Sequence, residues 1–458
     1  MKNIRFTAIF LLKFLQRYNK IVSLAVVVLI LIIGIFIKGH GKLFKQSISE
    51  GAVGTYTEND LPELVTNLVS QGLVSLDASG VAGPGLAASW QVNTDATEYT
   101  FKLKPNLYWI DGSKVKASDF DFSIPDTKVS AVDDSTIKFK LNDSFSPLPT
   151  LLSKPVLKKG SKLGVGPYQI SKIDEDSVFV TKVKLTSPDP TLPDITIRFY
   201  PNERTAEEAL NIGEIQSFFG AGKIDDFTGK GPFEIVSRVN HSRLVTIFYN
   251  NQDSVLSDKN FRLGLSFAAP SIKNEETAIT SLPSTSWAFN SQVRDYLDNS
   301  DQAKTYLAKV KNGRDSTITL TSTTTLADVG QQVVKEWNKE GIKAVLKVES
   351  GIPQNFQALL ISQDIPIDPD QYSLWHSTQT QTNVSKYSSP RIDKDLEDGR
   401  KLTDQNTRKA KYQDFQKVLL DDSPATFLYF PKYNVIALKK IDPALQKVIK
   451  YQLVDLAI

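Results

Sequence analysis

Apolar positions in this chain follow three patterns, and together they divide it into a leading segment, strands and helices. The first pattern is an unbroken run. Residues 21–37, IVSLAVVVLILIIGIFI, carry no charge and have no polar face. That length is near the lower end of the roughly 17–25 residues that cross a bilayer as a helix. Lys2, Arg5, Lys13, Arg17 and Lys20 precede the run, with no acid among them, which puts the N-terminus in the cytoplasm. Lys38, Lys42 and Lys45 follow on the far side. The competing reading is a cleaved signal peptide, whose apolar core is about 7–15 residues with a small-residue site behind it. This run is longer, and Lys38-Gly-His-Gly-Lys42 is a poor site. The expectation is a cytoplasmic basic segment over 1–20 and an uncleaved single-pass transmembrane anchor over 21–38, with the bulk of the chain extracytoplasmic.

The second pattern is alternation. Tyr99, Phe101 and Leu103 alternate with Thr100, Lys102 and Lys104, as a half-buried strand requires. Further strands are expected over 127–132, 137–141, 178–185, 195–200, 241–250, 318–320, 341–348, 356–362 and 423–431. The third pattern is helical spacing. Leu61, Leu64, Val65, Leu68 and Val69 share one face of a helix over 61–73, capped by Asn59 or Asp60 with Pro62 in its first turn. Helices are also expected over 205–213, 257–268, 301–308, 327–338 and 412–419. Asp258 and Arg262 stand at i,i+4 and are expected to pair on one face. Pro125 halts any helix that starts near Lys116. The strand–helix–strand order over 318–348 predicts an α/β second lobe.

Composition narrows the function. A chain of 458 residues, 41% apolar and 23% charged, is a folded protein of two or three domains. Net charge is +3 and no basic run follows the leading segment, so nucleic acid is not an expected partner. The absence of cysteine excludes disulfides, thiolate zinc sites, cysteine nucleophiles and thioether lipid anchors. His40, His241 and His376 lack metal-ligand spacing, and no nucleophile elbow or His-Glu-x-x-His motif is present. No catalytic residue, metal or cofactor is therefore assigned.

The order of several short motifs resembles the family-5 extracellular solute-binding proteins, the peptide- and nickel-binding subunits of ABC importers. The motifs are Pro84-Gly-Leu-Ala-Ala-Ser-Trp90, read as the end of a helix, then Tyr99-Thr-Phe-Lys-Leu103, Trp109-Ile-Asp-Gly112 and Ala117-Ser-Asp-Phe120. Gly164-Val-Gly-Pro-Tyr168, Phe248-Tyr-Asn250, Asp258-Lys259 with Arg262, and Asp368-Pro-Asp-Gln-Tyr372 followed by Trp375 continue the series. Lys116 stands where the family caps a long helix with Thr, and Gly264 replaces the usual Ala.

The resemblance implies an α/β, two-lobed periplasmic-binding-protein-like fold with a hinge, preceded here by the one N-terminal transmembrane helix. It divides the chain into lobe one, 47–249 with 426–458 returning to it, and lobe two, 250–425, with crossings near Asn250 and Ala425. It implies a receptor, expected to be monomeric, that holds a short peptide between the lobes and hands it to ABC permease subunits. Asp364 is the expected counter-charge for the peptide amine, within an acidic cluster with Asp368 and Asp370. Trp287, Tyr372 and Trp375 are candidates to line the pocket, and Thr55, Tyr56 and Thr57 to present backbone to an extended peptide. The alternatives are a ligand-free or divergent sensor or scaffold of the same fold, or a binder of another small solute such as chelated nickel.

Overall fold

The computed structural model describes residues 45–452, apart from 223, 225, 230 and 312. The expected cytoplasmic segment and anchor lie outside these residues. Among those described, no helix is long and apolar enough to cross a membrane.

Two large mixed sheets organise the described chain. The first has seven strands, in spatial order Phe233–Val239, Lys432–Leu438, Ser217–Ala221, Ser47–Val53, Asp194–Tyr200, Phe179–Thr186 and Gln169–Asp176. Ser47–Val53 lies at its centre, parallel to both neighbours, and its alternation buries Ile48 and Ala52. The second sheet has six strands, in the order Glu276–Thr277, Ala425–Phe430, Arg243–Tyr249, Ala358–Asp364, Ile318–Thr323 and Ala344–Glu349. Helix Ala327–Lys339 joins the last two strands of that order, which run parallel, as the strand–helix–strand pattern predicts, and buries Val333, Val334 and Trp337.

A separate four-stranded antiparallel sheet, in the order Ala87–Val92, Glu98–Leu103, Thr136–Leu141 and Thr127–Asp133, has its own core. Tyr99, Phe101 and Leu103 point into that core, as their alternation predicts. The segment expected to end a helix at Trp90 is instead the strand Ala87–Val92, because its backbone pairs with Glu98–Leu103 and Trp90 stacks on Phe101 at 5.7 Å. The region after Lys116 makes only the single 3-10 turn Ala117–Asp119. There the Asp119 carboxylate accepts from the Trp109 indole N–H and from the Lys116 amide.

Other expectations shift. The first helix is Glu63–Val69, shorter than 61–73, and Pro62 rather than a side-chain acceptor occupies its N-cap. Asp258 caps Lys259–Ala268 by accepting from the Asn260 amide. Its carboxylate does not pair with the Arg262 guanidinium, which is buried and donates to the carbonyls of Leu256, Ser257, Asp422 and Ser423. Four carbonyls outcompete one surface carboxylate because a buried guanidinium needs several acceptors.

The chain crosses from the first sheet to the second between Val239 and Arg243, ahead of the crossing expected near Asn250. It returns at Pro431, between Ala425–Phe430 and Lys432–Leu438, beyond the expected Ala425. The reason is pairing. Arg243–Tyr249 is hydrogen-bonded along its whole length to Ala358–Asp364, so it belongs to the second sheet from its first residue.

Helices Pro390–Lys401 and Gln405–Asp422 pack together and bring Asp395 against Asp414. Burial first, then the hydrogen bond and charge of Asp414, push the Asp395 carboxyl up to about 6, with Lys411 opposing. Asp395 Oδ2 is buried without a donor, so a proton shared with Asp414 completes the contact. The folded state thus holds a proton that the unfolded chain releases near pH 4. Stability falls as pH rises from about 4 to about 6 and stays lowered above that range. Asp395→Asn, which keeps a donor and removes the charge, is expected to raise Tm at pH 7.5 by about 2–5 °C. The gain should vanish near pH 4 in melting curves recorded across that range.

Candidate functional site

The site is built where the two crossings meet. The Asn240 amide donates to the Pro431 carbonyl at 2.8 Å, which ties the outgoing and returning strands together. Asn240 Oδ1 accepts from the Ser242 amide and hydroxyl. His241 packs edge-on against Phe430 and bonds Glu276 at 2.9 Å.

One wall comes from the carboxyl end of strand Ser47–Val53. Gly54 leads into Thr55, which is exposed, and into Tyr56 and Thr57, which are half-buried. The Tyr56 ring leans on Phe199 at 4.9 Å, its carbonyl accepts from the Val180 amide, and its hydroxyl donates to Val53. Burial raises the Tyr56 phenol pKa and Asp60 adds to that, while the positive charge of Arg243 opposes it. Arg243 begins the first strand of the second sheet, so the two walls meet electrostatically here.

The other wall is the second unit. Arg243 and Asp364 are register partners at the end of their strands and form an ion pair at 2.9 Å. Asp364 is 82% exposed. The remaining acids of the cluster are not open to solvent. Asp368 accepts from Arg408 at 2.8 Å and Asp370 from Arg400 at 2.8 Å, with both carboxylates buried. Burial pushes the Asp370 carboxyl up, Arg400 pulls it back and Asp368 adds to the rise. The Arg400 guanidinium lies 3.9 Å over the Tyr372 ring, and that ring stacks on His376 at 4.0 Å. Arg408 lies over Trp287 at 5.3 Å.

Part of the first unit rests directly on this cluster. The Ser146 amide and hydroxyl donate to the carbonyls of Arg400 and Gly399 at 2.7 and 3.0 Å. The Trp287 amide donates to Ser79 at 3.0 Å, and Gly80 packs against Ile367. Thr150 Oγ1 donates to Asp368 Oδ2 at 3.4 Å.

Two expected pocket residues are corrected. Trp375 has no exposed surface: it packs against Phe248 and Phe427, and its indole N–H donates to Gln371. It is core because its short helix, Tyr372–Trp375, lies on the second sheet. Asp370 is buried and already neutralised by Arg400, so no free carboxylate faces the cleft there. Tyr372 is half-buried beneath Arg400, and Trp287 is half-buried at the junction with Ser79. Asp364 and Tyr56 keep faces toward the junction. Arg243 and the contacts of Ser79, Gly80 and Ser146 carry no motif, and only pairing across the fold reveals them. Among the described residues, no group of three or more His, Asp or Glu could hold a metal ion.

Two α/β units joined by paired crossing strands, with aromatic and charged groups gathered at the junction, define a two-lobed binding protein. The chain belongs to the bacterial extracellular solute-binding proteins, family 5, whose model ("family 5 Middle") matches residues 82–386. It is 22% identical to the oligopeptide-binding protein AppA of Bacillus subtilis over 484 residues, covering 86% of this chain and 87% of that protein. Its fold is similar to that of the ABC transporter substrate-binding protein CtaP of Listeria monocytogenes, with a TM-score of 0.74, 20% identity and coverage of 86% and 94%. It is also similar to NikZ of Campylobacter jejuni in complex with Ni(L-His), with a TM-score of 0.70, 20% identity and coverage of 87% and 95%.

Proposed function

We propose that this chain is an extracytoplasmic receptor, held to the membrane by residues 21–38, that binds short peptides between its lobes and presents them to an ABC permease. In this reading the lobes follow the two large sheets: residues 47–239 with 432–452 form one, and 243–430 the other. The observation that carries the reading is the junction itself, where Ser146 and Ser79 of one unit bond Arg400, Gly399 and Trp287 of the other and the Arg243–Asp364 pair stays exposed beside the crossing. A ligand touching both walls favours the closed arrangement and shifts the population toward it. Asp364 takes the peptide amine as a charge-assisted partner once closure removes water. Asp364→Ala is expected to weaken peptide affinity about tenfold or more by titration calorimetry, in line with a hydrogen-bonded charge contact. Unchanged affinity would remove Asp364 from the site.

A second reading, a divergent receptor of the same fold that has lost its ligand, draws on one observation. Arg400 and Arg408 already neutralise two of the cluster's three acids, and Ser146 joins the units there by direct contact.

A further inference from the structure

The first unit has a pole that takes no part in the junction. Strand Ser47–Val53 begins there, and the crossing strands leave from the opposite end of the same sheet. Backbone bonds gather the rest of this pole. The Gln216 amide donates to the Ser49 carbonyl at 2.7 Å, and the Leu438 amide to the Gln216 carbonyl at 2.9 Å. Lys439 and Lys440 follow at once, and both are exposed. Ile212, just past the end of helix Glu203–Asn211 and before Gln216, is 80% exposed, an extreme for a large aliphatic side chain. Most acids of the pole are already answered. Asp194 pairs with Lys45 at 2.7 Å and Glu214 with Arg198 at 3.2 Å, and Asp189 lies in the field of Lys45 and Lys447. That leaves Lys439 and Lys440 in excess over the exposed Glu234 of the neighbouring strand.

The chain that precedes the described residues ends at this pole. With residues 21–38 in a bilayer, six residues, 39–44, remain before Lys45. Fully extended they reach roughly 20–22 Å. Lys45 is fixed to the pole through Asp194 and the Ser187 carbonyl, so it adds no slack. The strand that follows is itself about 23 Å long. The pole therefore stays within a tether's length of the headgroups in every orientation, and the junction lies a full strand beyond it. Exposed lysines beside a protruding aliphatic side chain suit an anionic bilayer, whose phosphates meet the ammonium groups while the apolar group enters below them.

Resting on the reading of residues 21–38 as a membrane anchor, we infer that this pole docks on the anionic bilayer that holds the anchor, with Lys439, Lys440 and Ile212 in contact. Its occupant is lipid, not a second copy of the chain. The contact steadies lobe one at the membrane and leaves lobe two as the moving part when the lobes close.

The test uses the full chain reconstituted in vesicles and carrying one fluorophore. The chain has no cysteine, so Asn211→Cys labels the pole, and Ile352→Cys, at a 62% exposed position of the second unit, labels a control. Lipids with a quencher on the headgroup report proximity. In vesicles of phosphatidylglycerol and phosphatidylcholine, quenching at 211 should exceed that at 352 by about threefold or more. High salt, pure phosphatidylcholine, or Lys439→Glu with Lys440→Glu should bring it down to the control, and Ile212→Ser should remove part of it. The substituted side chains are exposed, so the variants should melt within a few degrees of the parent, which separates lost docking from lost folding. Equal quenching at the two positions, or quenching that ignores the charge reversal, would overturn the inference while the anchor stands. A label at 211 shielded from aqueous iodide but untouched by the lipid quencher would mean that a second copy covers the pole, and the inference would be wrong. A chain that an alkaline carbonate wash strips from the vesicles would overturn the anchor and the inference together.

Discussion

Arg408→Met should lower the melting temperature by roughly 10 °C, one of the two strongest effects expected of single substitutions. Arg408 is 8% exposed and its Nη2 donates to Asp368 at 2.8 Å and to the Tyr412 hydroxyl at 3.2 Å. Its Nε donates to the Gly399 carbonyl at 3.0 Å. Methionine fills much of the same volume but leaves Asp368 buried and unpaired beside the buried Asp370. Removing one partner of a buried pair costs about 3–5 kcal/mol, because the stranded charge keeps its desolvation penalty. Asp368→Asn in the same background removes that charge, so the double variant should melt higher than Arg408→Met alone. Melting curves of the parent, both single variants and the double variant give the coupling directly. Additive losses would mean that the two side chains do not act as a pair. Because Thr150 reaches the same carboxylate from the other unit, the loss should also loosen the junction.

Gly164→Ala should cost about 3–5 kcal/mol, at the upper end of what one methyl group does. A Cβ at Gly164 would lie 1.9 Å from the Val69 carbonyl oxygen and 2.7 Å from its carbonyl carbon, both backbone atoms that cannot swing aside. The approach has a cause. Helix Glu63–Val69 ends there, and its last carbonyls need donors. The Gly166 amide donates to Val69 at 2.8 Å and the Tyr168 amide to Leu68 at 3.2 Å, so the glycine segment seals the helix end. The Gly-rich turn is therefore a packing device and not a ligand loop. Urea midpoints measure the effect, with Gly351→Ala as the control, since nothing lies within 4 Å of a Cβ there. A small change at Gly164 would mean that the helix end and the turn are less closely apposed than described.

What the sequence allowed follows from how local each cause is. The strand Glu98–Leu103 was legible because alternation and burial are set within six residues. The core of helix Ala327–Lys339 was legible for the same reason. The acidic cluster was visible as residues, but its state was not. Asp370 meets its arginine 30 positions later and Asp368 meets its own 40 positions later, in helices whose packing no local pattern reports. Trp375 sits in an aromatic, acidic stretch that reads as a pocket wall, yet sheet packing buries it completely. The crossings were misplaced because Arg243–Tyr249 looks the same by composition in either sheet, and only its partner strand decides its side. Arg243 was not read as a site residue for that reason.

The central claim is that this chain holds a peptide between its lobes. Native mass spectrometry of the detergent-solubilised full chain with a mixed pool of di- to octapeptides tests it most directly. One retained peptide per chain, lost or weakened in Asp364→Ala, is the expected result. A chain that retains none, and whose Tm no peptide raises, would contradict the claim and leave the ligand-free reading in its place.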